Sequence, residues 1–80
     1  MFDFSNQKTM NIYSPEGTKV KTTVSLLENG LEYDKRIAKT YLDPGKVYTV
    51  DYTIVSGSCT DVYLKEFPGI MFNSVNLTEA

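Results

Sequence analysis

The sequence predicts a small, mostly β domain: an antiparallel barrel with one short helix in its first long excursion. Three observations predict it. Residues 46–55 and 59–65 alternate apolar and polar side chains at the period of a half-buried strand, and Ser56-Gly57-Ser58 joins them as a hairpin turn. Only residues 31–42 change to a helical period. At 80 residues the chain forms one domain, and strands this few and short must curl together to cover their apolar faces and edges.

Residues 1–16 form an N-terminal extension ahead of a single barrel domain, residues 17–80. The extension scatters Phe2, Phe4, Met10, Ile12 and Tyr13 among polar residues, and these need cover from the same chain or from a second copy. Ser14-Pro15-Glu16-Gly17 is a turn, with Pro pre-set for its second position. In residues 18–25, Val20, Thr22 and Val24 alternate with Lys19, Lys21, Thr23 and Ser25, which predicts a strand with one solvated face. Asn29-Gly30 turns the chain.

A helix is expected over residues 32–39. Tyr33, Ile37 and Tyr41 recur at i, i+4, i+8, Glu32 and Arg36 are spaced as an ion pair, and acidic residues precede basic ones. Asp43-Pro44-Gly45 stops it. Residues 46–55 are the strongest strand, with Tyr48, Val50, Tyr52 and Ile54 on one face. In residues 59–65, Val62 and Leu64 point inward, and Asp61, Tyr63 and Lys65 outward. Phe67-Pro68-Gly69 breaks the pattern, residues 70–74 are irregular or one helical turn, and residues 75–78 form a last short strand. The expected core is Val20, Val24, Val50, Ile54, Val62, Leu64, Phe72, Val75 and Leu77.

Strand, excursion with a helix, hairpin, turn, short strand is the order of an SH3-like barrel. A ferredoxin-like domain would need two full helices, and only one short candidate exists. The text from Asn29-Gly30 to Tyr41-Leu42, Pro44-Gly45-Lys46-Val47-Tyr48-Thr49-Val50, Thr60-Asp61-Val62-Tyr63-Leu64 and, most specifically, Phe67-Pro68-Gly69-Ile70-Met71-Phe72-Asn73-Ser74-Val75 resembles a group of small SH3-like proteins of phages, prophages and their bacterial hosts. The resemblance covers residues 17–78 and implies the barrel fold and a mobile-element origin. The group carries no established activity, so no catalytic residue transfers.

Composition narrows the function classes. The absence of His removes the commonest acid–base group and metal ligand. The single Cys59 can form neither an internal disulfide nor a Cys-based metal site. Asp43-Pro44-Gly45-Lys46 lacks the length and the Ser or Thr of a phosphate loop. The expectation is no enzyme, no cofactor and no metal, with the carboxylates read as solvated surface groups. Eight Lys and Arg against ten Asp and Glu, a net charge of −2, disfavour nucleic acid. No apolar run approaches the ~20 residues of a membrane helix, and the N-terminus does not read as a signal peptide, so a cytoplasmic protein of the bacterial host cell is expected.

Six Tyr and four Phe exceed what one small barrel must hide, and Tyr suits recognition surfaces. Lys35, Arg36 and Lys39 cluster on the excursion, where they either bind phosphate or form a solvated face paired with Glu32. Asn73 and Ser74 offer hydrogen bonds to a ligand or to their own turn. The candidate ligand-binding residues are therefore Tyr33, Arg36, Lys39, Tyr41, Asn73 and Ser74. The expected function is a non-enzymatic phage or prophage accessory protein, homo-oligomeric, that antagonises host defence by binding a small anionic nucleotide-type ligand or a host protein. The alternative is a general SH3-like module that binds a protein or peptide of phage or host. The lack of Trp argues against a proline-rich peptide.

Overall fold

The hairpin that dominates the sequence also organises the structure, a computed structural model that describes residues 9–80. Phe2 and Phe4 lie outside the described residues. The elements are β1 (Lys19–Lys21), a 3-10 turn (Leu26–Glu28), α1 (Glu32–Tyr41), β2 (Tyr48–Val55), β3 (Thr60–Leu64), β4 (Met71–Asn73), a second 3-10 turn (Ser74–Asn76) and β5 (Thr78–Glu79). All strand pairs are antiparallel, and the five strands form one sheet in the order β4-β3-β2-β1-β5. The expected element order is present. The expected closure is not: among the described residues no pairing joins β4 to β5, and the barrel stays loose.

Half of β2 faces opposite to the expected direction. Val50 pairs with Leu64 and Tyr52 with Tyr63, so Asp51 is an extra residue opposite no partner. Because side chains alternate at period two, one extra residue exchanges the faces beyond it. Tyr48 and Val50 are buried as expected, but Ile54 is 48% exposed. Thr53, paired with buried Val62, takes the inward side and donates from Oγ1 to the Ile12 carbonyl at 3.0 Å.

β1 is shorter than its alternation suggests. The Thr23 hydroxyl accepts the Leu26 N–H at 3.1 Å, turning the chain into the 3-10 turn. A side chain that bonds its own backbone in this way competes with the strand ladder. Val24 is left 72% exposed, and Leu26 and Leu27 are buried in its place. At the far end, β4 occupies residues expected to be irregular, and the second 3-10 turn takes up the start of the strand expected over residues 75–78, so the last strand is Thr78–Glu79 and Val75 is half-buried rather than in the core.

α1 starts where Asp34 reaches back to accept the Leu31 N–H at 3.0 Å. Gly30 precedes it with φ +86, and a Cβ there would stand 2.9 Å from Asp34 Oδ2, so only glycine fits both the turn and the cap. Glu32 pairs with Lys35 at 2.8 Å instead of with Arg36, since residues three apart are as close on a helix as residues four apart. The helix runs to Tyr41, and Leu42 N–H still bonds the Ala38 carbonyl at 2.8 Å. Ala38 and Leu42 are its buried contacts with the core. Tyr41 lies at the rim, its ring 5.4 Å from Phe67 and 6.2 Å from Phe72. Tyr33, about two turns earlier on the helix, is 59% exposed.

The core gathers Val20, Leu27, Ala38, Leu42, Tyr48, Val50, Val62, Leu64, Phe72 and Leu77. Met10 joins it, 3% exposed, with its N–H bonded to the Leu77 carbonyl at 2.8 Å. Met10 and Ile12 of the N-terminal extension therefore pack on their own chain, whereas Tyr13 is 72% exposed.

Candidate functional site

Two segments 39 residues apart meet at the start of α1. Asn73 Nδ2 donates to Asp34 Oδ2 at 3.2 Å, while Asn73 Oδ1 accepts the Val75 N–H at 3.1 Å and caps the second 3-10 turn. Two more asparagines reinforce the junction. Asn29 Nδ2 donates to the Val75 carbonyl at 2.9 Å. Asn76 Nδ2, fully buried, donates to the carbonyls of Leu26 at 2.8 Å and Asn29 at 3.1 Å. The excursion is thus tied to the late turn through amides and Asp34, not through basic residues.

A groove of about 740 Å³ opens at this junction. Gly30, Leu31 and Asp34 line it from the start of α1, residues 56–61 from the tip of the β2–β3 hairpin, and residues 73–75 from the late turn; Thr9 and Ile12 complete it. Leu31 is 76% exposed. Among the described residues, the charged side chains of the lining are Asp34 and Asp61, with no cation. Asp61 pairs with Asn73 across β3 and β4, so Asn73 has a carboxylate to either side. Cys59 is exposed on the hairpin, where Ser56 Oγ donates to its carbonyl at 2.8 Å.

Of the six residues singled out from the sequence, Asn73 and Ser74 line the groove; Tyr33, Arg36, Lys39 and Tyr41 do not. Lys39 is held by Glu28 at 2.9 Å and Lys35 by Glu32. The hydrogen bonds from these lysines hold both carboxyls below their ordinary value. The basic cluster is therefore interleaved with acids, which is the solvated-face reading of those residues. Arg36 is exposed on the outer side of α1. The groove residues missed from the sequence are Asp34, Asp61 and the hairpin tip. Their signals were present: an acid at the third helical position after Asn-Gly, and an acid just past a Ser-Gly-Ser turn.

Among the described residues, no helix is long and apolar enough to cross a membrane. Residues 19–79 match the model of a protein family described as Bacteriophage T4 protein Y07B. No curated protein and no solved structure matches the chain.

Proposed function

The chain belongs to the bacteriophage T4 protein Y07B family, and from that premise we propose that it is a non-enzymatic accessory protein that antagonises host defence by stoichiometric binding, with a host protein as its target. The phage family supports a role inside an infected cell. The charge of the groove carries the choice of target. Its volume lies within the ~300–1,000 Å³ of small-molecule sites, so size alone would admit a nucleotide. Phosphates placed there would face Asp34 and Asp61, with no cation in the lining among the described residues, and like charges repel. A Lys or Arg from an extended protein segment would find both carboxylates, with its aliphatic stem against Ile12, Leu31 and Val75. The general interaction-module reading uses the same groove and differs in the identity of the partner.

The test is affinity capture from host lysate with the wild type and with Asp61→Lys, beside calorimetry with cyclic and ADP-ribose-type nucleotides. A host protein is expected to be retained by the wild type, and Asp61→Lys to weaken it about ten- to a hundredfold, as loss of a charged hydrogen bond does. Phage lacking the gene should plate poorly on a host carrying the cognate defence, and the wild type but not Asp61→Lys should restore it. A nucleotide that binds the wild type and is lost with Arg36→Ala would overturn the reading.

A further inference from the structure

A row of three side chains crosses the outward face of β2, β3 and β4. The register sets Tyr52 opposite Tyr63 and Tyr63 opposite Met71, so the row runs across the strands rather than along one. The two tyrosine rings stack with centroids 4.5 Å apart and planes 14° from parallel. Ile54, turned outward beyond the bulge, extends the row along β2. Tyr52 and Ile54 are 48% exposed and Met71 42%. These three side chains, with the less exposed Tyr63 between them, offer on the order of 300 Å² of apolar surface, the size of the largest and often functional patch on a small protein.

We propose that this row is the contact face of a two-fold homodimer, with a second copy of this chain as its occupant. The order of charge around the row favours a second copy. Along β3 and just past it, Asp61, Tyr63 and Lys65 follow one another at the two-residue spacing of the outward face. A two-fold axis laid along the row, between the two sheets, reverses the strand direction. It sets Tyr52, Tyr63 and Met71 against their own counterparts, and Asp61, at the edge shared with the groove, across from Lys65 of the second copy, twice over, so a partner that takes Asp61 in the groove opposes the dimer. Lys65 already holds Glu16, yet keeps 45% of its side chain exposed, and an ammonium has three donors to share. The patch with its polar rim approaches the ~600 Å² per partner of the smaller interfaces, so the dimer is weak and reversible.

Sedimentation velocity of the full chain from about 5 to 500 µM spans the dissociation constants that such an interface gives. The expected result is a mass that rises from one chain to two, with Tyr52→Glu and Met71→Lys each weakening association at least tenfold. The melting temperature at the lowest concentration should stay unchanged. Asp34→Ala, in the groove, is expected to leave the dimer intact. Should Tyr52→Glu fail to fold, Met71→Lys on the short edge strand decides. A single-chain mass throughout, or a dimer lost with Asp34→Ala but kept with the folded row variants, would overturn the proposal.

Discussion

Asn73 Nδ2 stands 3.2 Å from Asp34 Oδ2, and this one amide joins β4 to the first turn of α1. The same side chain caps the turn that follows through its other atom, so the two roles can be separated by chemistry. Asn73→Asp keeps an acceptor for the Val75 N–H but sets a carboxylate against Asp34. It should cost about 1–2 kcal/mol at neutral pH, the price of a lost hydrogen bond with repulsion added. Urea unfolding at neutral pH reads that loss.

Val62→Asp and Ile54→Asp test the bulge. Val62 is fully buried, and a charge there has no partner, so that variant should not fold. Ile54 lies on the outward side and is 48% exposed, so Ile54→Asp should fold with a change of under about 1 kcal/mol. Circular dichroism and thermal melts read both outcomes. Equal damage from the two would place Ile54 in the core.

Tyr48→Phe isolates one hydrogen bond in the helix exit. The Asp43 N–H donates to Tyr48 Oη at 2.9 Å, while the ring packs 5.6 Å from Phe67. Phenylalanine keeps the packing and leaves the N–H without its acceptor, at an expected cost of about 0.5–1.5 kcal/mol in urea unfolding.

Glu16, Glu28 and Glu32 each sit below the ordinary value of 4.5, chiefly through hydrogen bonds from Lys65, Lys39 and Lys35. A carboxyl lowered by folding adds stability above its unfolded value and loses it as pH falls through the folded one. Lys35 and Lys65 are raised above 10.5 by the same pairs, so their share is present below that value and fades as pH rises through the folded one. Thermal melts should therefore be level between about pH 5 and 10 and fall on either side. Added salt should flatten the profile, because these pairs face solvent.

Much of the fold was legible because strand alternation survives in a short chain. Val20, Val50, Val62, Leu64, Phe72 and Leu77 are buried as their periodicity implies. Val24 and Ile54 are not, and each misreading has a local cause: the Thr23 hydroxyl ends one strand, and the unpaired Asp51 inverts the other. Neither leaves a mark in the alternation itself. Met10 belongs to no periodic run, so its place in the core depends on a tertiary contact with Leu77. In the groove, Asn73 and Ser74 stand out as polar side chains after the Phe-Pro-Gly break, open to a ligand or to their own turn, and Asn73 accepts the Val75 N–H of that turn. Asp34 and Asp61 each looked like ordinary surface acids, since nothing local brings them together; Asn73 does.

The unpaired Asp51 also divides β2 into stretches answerable to different demands. Tyr48 and Val50, before it, can change only as far as the interior tolerates, and any drift there is felt at once as lost folding. Tyr52 and Ile54, after it, touch little of the interior and can vary with whatever meets the face, at almost no risk to the fold. Within its eight residues β2 thus carries a half held by the interior and a half answerable only to the second copy proposed to meet it.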